Sequence, residues 1–114
     1  MKPEAVIATV CCRYDVSRDD IVRADKRRRV VRARWMICWL LRYRMGMSLP
    51  AISYLVGKHH TTVLHACSLF NPYTGVNSCP SHEYDSFDPA RDWTQLSACL
   101  DAEMSNPDVG EAAE

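Results

Sequence analysis

Gly57-Lys58-His59-His60-Thr61-Thr62-Val63-Leu64-His65-Ala66 is the stretch that decides how this chain folds. Imidazoles and small polar groups crowd the first turn of a helix, and apolar residues then follow at helical spacing. Val63, Leu64, Cys67 and Phe70 form the expected buried stripe, and Asn71-Pro72 stops the helix. Just upstream, Ser48 is a good N-cap and Pro50 suits a first turn. Residues 49–56 therefore read as a short helix with Leu49, Ile52, Leu55 and Val56 on its apolar face. Gly57 can take the left-handed conformation that ends such a helix. Two helices joined by a tight glycine-containing turn make a helix-turn-helix.

Working outward, Val6, Ile7, Val10, Cys11 and Tyr14 follow Pro3 at 3.6-residue spacing and predict an amphipathic helix. Ser17 and Asp20 have the spacing of a capping box, which starts a short turn carrying Ile21 and Val22. A basic stretch over 23–34 leads into a predicted long central helix from about 28 to 44. The run Trp35-Met36-Ile37-Cys38-Trp39-Leu40-Leu41 is too poor in β-branched residues, and too long with its flanks, to favour a buried strand. Trp35, Trp39 and Tyr43 share one face of it, placed for core or interface packing, with DNA contact by Trp35 as the alternative. Gly46 allows the following turn. Residues 71–87 are turn-rich and read as a loop. Asp88-Pro89 then begins a last amphipathic helix over 88–105, with Trp93, Leu96, Leu100 and Met104 in register. Residues 106–114 read as a disordered acidic tail. The expectation is an all-α protein: a compact helical domain over 1–70 with a helix-turn-helix, followed by a C-terminal helix and an acidic tail.

The formal net charge of the 114 residues is zero, but the charge is divided. Residues 1–70 hold 13 of the 14 Lys and Arg and five of the 14 acidic residues, a net of +8, and residues 71–114 carry −8. Positive charge concentrates at Lys26, Arg27, Arg28, Arg29, Arg32 and Arg34. The first part is built for a polyanion and the second is not. No apolar run approaches the roughly 20 residues that span a bilayer, and no signal-peptide core opens the chain. The expected location is the cytoplasm, associated with the nucleoid. Six cysteines without a C-x-x-C pair read as reduced thiols, mostly in the core. A zinc site from Cys79, His82 and distant partners is a remote alternative, and a metal at His59, His60 and His65 lacks a carboxylate or Cys at useful local spacing. No metal or cofactor is expected, and no pairing of nucleophile and base is legible, so catalysis is not expected.

A recognition helix reads base edges with its N-terminal residues. Here those are His59, His60, Thr61 and Thr62, with His65 one turn on from Thr61. Threonine can hydrogen-bond and offers a methyl to thymine; imidazole can donate or accept toward bases or phosphates. The first-turn backbone N–H groups add affinity for phosphate.

These residues resemble the C-terminal DNA-binding domain of the bacterial replication initiator DnaA, whose signature reads approximately G-G-R-D-H-T-T-V-L-H-A after S-L-P-x-I-G. The chain carries Ser48-Leu49-Pro50-Ala51-Ile52, then Gly57, then His60-Thr61-Thr62-Val63-Leu64-His65-Ala66. Val30-Val31-Arg32-Ala33-Arg34 is similar to the family's V-A-R-P/x-R. The likeness covers residues 3–70, and the helix after Pro89 fits the family's last helix. The H-T-T-V-L-H-A match is specific, whereas an Arg-rich stretch alone is not. The resemblance implies double-stranded DNA as the partner, engaged at a short asymmetric A·T-rich box. It places Lys26, in the basic loop with Arg27, at a minor-groove position where the family generally has Arg. Arg28, Arg34 and Arg42 match phosphate-contacting positions, and Leu49 and Pro50 match residues that touch thymine methyls or nearby backbone. His60 and Thr61 match major-groove base readers, and Thr62 and His65 match backbone contacts.

Departures fall at Lys58 and His59. The turn after Gly57 is one residue shorter, and His59 stands where the family has Asp before His-Thr-Thr. A carboxylate accepts from the cytosine amino group, and imidazole prefers other partners. Trp35 stands where Gln is common. The chain lacks a G-x-x-x-x-G-K-[ST] phosphate loop and is too short for an ATPase domain. The expected function is a stand-alone, sequence-specific duplex DNA binder at DnaA-box-like sites, regulating replication initiation or transcription without ATPase activity. The rival is a protein-interaction module that binds an initiator or another protein through the aromatic helix face, with Trp35 and Trp39 as anchors, or through the acidic segment.

Overall fold

A computed structural model describes residues 2–23, 26–79 and 87–105, with side chains as far as 102. Helix α1 (Pro3–Tyr14) has proline in its first turn and ends at Asp15, which adopts the left-handed conformation at φ 55°. Helix α2 (Arg18–Val22) opens with a complete capping box. Ser17 Oγ accepts from Asp20 N and Asp20 Oδ2 accepts from Ser17 N, both at 3.1 Å. Two orphan donors are thereby satisfied reciprocally.

Helix α3 (Arg28–Trp39) is the central post. Val30, Ala33, Met36, Ile37, Cys38 and Trp39 are buried along it, and it packs against α1, α2 and helix α5 (His60–Leu69). The sequence predicts one regular helix from 28 to 44. Instead, the last turn, Leu40–Arg44, widens to π geometry, with Met45 N donating to Leu40 O at 3.1 Å. Trp39, Leu40 and Leu41 are consecutive and fully buried. They face core partners on two sides, since α1 and helix α4 (Leu49–Val56) both touch this turn. A wider turn serves that double burial, and insertions of this kind are the usual form of π geometry in helices.

The start of the segment expected to be a loop, residues 71–77, forms a small hairpin with Phe70 instead. Strands β1 (Phe70–Asn71) and β2 (Val76–Asn77) pair antiparallel, Phe70 opposite Asn77. The turn is built by Asn71, whose Oδ1 accepts from Tyr73 N at 2.9 Å and Thr74 N at 3.3 Å, and by Gly75 at φ 83°. This Asx-type bonding gives the backbone a local alternative to helix.

Helix α6 (Pro89–Ser105) starts as its sequence predicts. Asp88 Oδ1 caps it, accepting from Ala90 N at 3.1 Å and Arg91 N at 3.2 Å. Leu96 and Leu100 are fully buried with Val6, Ile7, Val10, Ile52, Val56 and Val63. The helix is therefore part of the core. A buried carboxylate fixes it: Asp92, 4% exposed, accepts from Tyr14 Oη at 2.7 Å and from Arg13 at 3.2 Å. Burial, then the bond to Asp92, pushes the Tyr14 phenol well above its ordinary range. The side chain of Met104, residues 106–114, and His82 lie outside the described residues.

All six cysteines are free thiols. Cys38 and Cys67 are buried, Cys11 and Cys79 half-buried, and Cys12 and Cys99 exposed.

Candidate nucleic-acid interface

The turn between α4 and α5 is closed in four ways. Ser48 Oγ accepts from Ala51 N at 3.3 Å, which starts α4. Gly57 ends it at φ 65°, where a Cβ would stand 3.2 Å from Val22 Cβ, so glycine is required by conformation and by space. Ser53 Oγ donates to Lys58 O, and Lys58 N donates to Ser53 O at 3.2 Å.

The fourth closure comes from two cations. Arg34 Nε donates to Ile21 O at 2.9 Å, and its Nη2 donates to Arg23 O at 3.1 Å and Asp20 O at 3.3 Å. Lys58 Nζ donates to Val22 O at 3.0 Å and also to Arg23 O. Together they cap the C-terminal carbonyls of α2, where orphan acceptors and the negative end of the helix dipole favour cations. Burial, followed by the Arg34 charge, lowers the Lys58 pKa. The recognition turn, α2 and α3 are thus fastened together immediately beside the basic stretch.

Helix α5 presents a polar side and anchors the other. His59 is its N-cap: the imidazole Nδ1 accepts from Thr61 N at 3.2 Å. His59 and His60 rings lie 4.2 Å apart between centroids. His59, His60, Thr61, Thr62 and His65 are exposed, while Val63, Ala66 and Cys67 are buried. The anchored side is held by α3 and the widened turn. Trp39 Nε1 donates to Ala66 O at 2.7 Å, and Tyr43 Oη donates to Cys67 O at 2.5 Å. Leu64 is not part of the buried stripe; it is 52% exposed. At 100° per residue it falls beside Thr61 and His65 on the open side, and the sequence reading missed it because an apolar residue at helical spacing defaults to core.

The other predicted site residues divide. Lys26, Arg27 and Arg28 are exposed at the start of α3, with Arg27 3.4 Å from Asp20 Oδ1. Arg42 is exposed and donates to Met47 O at 3.0 Å. Leu49 is half-buried and Pro50 exposed at the start of α4. Arg34, placed by the resemblance among phosphate contacts, points inward and is 9% exposed. Its fork geometry matches the converging α2 carbonyls. Lys58 likewise serves the α2 seam. Trp39 cannot be an aromatic anchor for a partner, because its ring is fully buried against Phe70 at 4.8 Å.

One assembly has no local sequence signal. A cleft of about 480 Å³ gathers Arg13 from α1, Arg28, Arg29 and Arg32 from α3, and Arg91 from α6, with Tyr14, Phe87 and Asp92. Arg32 lies 4.5 Å from the Phe87 ring centroid, a cation–π distance. Burial, then the nearby Arg28, lowers the Arg32 pKa. Among the described residues, no cluster of His, Cys, Asp and Glu suits a metal ion, and no helix is long and apolar enough to cross a membrane.

An all-α domain with an anchored second helix, its polar N-terminal turn open, is a helix-turn-helix protein of the DNA-binding class. The family model described as bacterial dnaA protein helix-turn-helix matches residues 3–69, and the chain belongs to that family. Among its relatives is the chromosomal replication initiator protein DnaA of Nostoc punctiforme, 39% identical over 66 residues, which cover 57% of this chain and 14% of that protein. The DnaA of Thermomicrobium roseum is 41% identical over 66 residues, with the same coverage. That of Gloeobacter violaceus is 42% identical over 64 residues, 55% of this chain and 14% of the relative. The similarity thus spans about one seventh of each of these initiators, and it falls in the helix-turn-helix.

Proposed function

We propose that this chain binds double-stranded DNA sequence-specifically, at sites resembling the boxes of the DnaA initiator, and so regulates replication initiation or transcription. The observation that carries this reading is α5: His60, Thr61, Thr62 and His65 stand exposed on its first turns while Trp39 and Tyr43 hold its opposite side. His60 and Thr61 read base edges in the major groove. Thr62, His65, Arg28 and Arg42 engage phosphates, and Lys26 and Arg27 approach the neighbouring minor groove. Leu49 and Pro50 touch the backbone or thymine methyls at the start of α4. The reading assigns these residues DNA binding and gives them no part in ATP hydrolysis, since no phosphate-loop motif lies among them.

Selection from a pool of random duplexes tests the reading. An enriched asymmetric A·T-rich sequence is expected. Affinity for it falls with salt by a log–log slope of about −0.9 per phosphate neutralised. His60→Ala or Thr61→Ala costs about 1–3 kcal/mol for the selected site and little for random DNA. Arg42→Ala weakens both alike and reduces the slope by about 1. A pool that shows no enrichment refutes sequence-specific binding.

A further inference from the structure

A backbone N–H can only donate, and this fixes the polarity of the imidazole at the head of α5. Thr61 N lies 3.2 Å from His59 Nδ1, so that nitrogen presents its lone pair and the proton of the neutral ring sits on Nε2. Thr61 Oγ1 lies 2.8 Å from the same Nδ1. Against an unprotonated nitrogen, the hydroxyl must supply the hydrogen. Two consequences follow for the open side of the helix. The Nε2–H donor sits on the ring edge away from the α5 backbone, on an exposed residue. Thr61 Oγ1, its hydrogen given to Nδ1, keeps only lone pairs for other partners. The inverted polarity is disfavoured, because a proton on Nδ1 would oppose the Thr61 N–H. The His60 ring, 4.2 Å away and tilted by 33°, packs beside the His59 ring.

We infer that His59 and Thr61 form a base-reading pair of fixed polarity, one donor and one acceptor, within the DNA-binding function proposed above, on which the inference rests. His59 Nε2–H recognises an acceptor on the major-groove edge: guanine N7 or O6, adenine N7, or thymine O4. It rejects cytosine, whose N4 amino group is itself a donor. Thr61 Oγ1 recognises an amino group, adenine N6 or cytosine N4. The side chain that caps the helix is therefore also the one that sets a base preference, and the cap bond is what selects its tautomer.

The test compares wild type, His59→Asp and His59→Asn in selections from random duplexes. All three side chains keep an acceptor for the N-cap, so the fold is retained. Aspartate offers acceptors only, and asparagine keeps an amide donor. Wild type and His59→Asn are expected to choose an acceptor-bearing base at one position. His59→Asp moves that position to cytosine, by about 5- to 100-fold in relative affinity, with the other positions unchanged. Enrichment in which wild type and His59→Asp choose the same base at every position overturns the inference alone. No enrichment by any of the three overturns the DNA-binding reading and this inference with it. Imidazole ¹⁵N spectra of the free protein supply a readout independent of DNA: the neutral His59 ring is expected to be unprotonated at Nδ1, and a protonated Nδ1 refutes the assignment.

Discussion

Replacing Arg34 by methionine separates an inward architectural role from an outward phosphate contact. The guanidinium donates to the carbonyl oxygens of Asp20, Ile21 and Arg23. Methionine fills similar space and donates nothing. Ile21 is fully buried, so its carbonyl has the poorest access to water, and a buried acceptor left unmade costs about 1–3 kcal/mol. The other two carbonyls belong to more exposed residues and recover part of their bonding from water. Removing the guanidinium also relieves its own desolvation cost. The net expectation is a loss of about 2 kcal/mol, a substantial fraction of the roughly 5–15 kcal/mol that stabilises a domain of this size. Equilibrium urea unfolding reads this directly: with a slope near 1.5 kcal/mol per M, the midpoint falls by about 1.3 M. Arg34→Lys should lie between, because an ammonium lacks the fork that reaches several carbonyls. Where Arg34→Met remains folded, the salt dependence of DNA binding should match wild type. An unchanged urea midpoint together with a salt slope smaller by about 1 would show that Arg34 faces phosphate, and would refute the inward reading.

Two further outcomes are expected. Gly57→Ala forces a side chain into left-handed backbone and to within 3.2 Å of Val22 Cβ, so it should cost about 1–2 kcal/mol in the same unfolding assay. Val22→Ala should recover little of this, because it keeps the Cβ at 3.2 Å and removes only the Cγ1 at 3.4 Å, and a Gly57→Ala protein as stable as wild type would show the turn to be differently built. In alkali, burial has pushed the Cys67 and Cys79 thiols up to about 11 from an ordinary 9.0, and Cys38 is pushed up as well. Their neutral forms are favoured in the folded state, so that contribution is complete below about pH 9 and is lost as pH rises to about 11. Thermal melts should therefore show a falling Tm across that window, with a shallower fall in Cys67→Ala. A Tm unchanged between pH 9 and 11 would contradict the burial of these thiols.

Much of this fold is written locally. The capping box at Ser17 and Asp20, the N-caps at Ser48 and Asp88, and the left-handed stop at Gly57 each need only a few neighbouring residues, and each stands where its spacing predicts. Period also located α1, α4 and α6, because a helix must put its apolar residues on one face to bury them. Period fails where burial surrounds the helix. Trp39, Leu40 and Leu41 are buried together, and the regular spacing gives way to a π turn. It fails again at Leu64, whose apolar side chain faces outward on a helix too narrow to bury every apolar position. The Asn71 and Gly75 turn lay within a segment rich in turn residues, but pairing of its flanks depends on contacts that composition does not encode.

The sequence by itself determined the helix-turn-helix, the exposed polar start of α5 and the concentration of positive charge around residues 26–34, since all three follow from local propensity and spacing. Tertiary structure decided which charges are available and what the polar start can say. Arg34 and Lys58 look like neighbours of the basic stretch in sequence, yet both turn onto α2, because its C-terminal carbonyls need donors once the helix is buried against α3. Arg13 and Arg91, far apart along the chain, meet Arg28, Arg29 and Arg32 in one cleft because α1 and α6 pack together through Asp92. His59 was legible as a polar residue at a helix start. That it is a donor toward the open side follows only from the bond its other nitrogen makes to Thr61 N. Charge sign and helix period are properties of the chain; direction and tautomer are fixed by neighbours that only folding supplies.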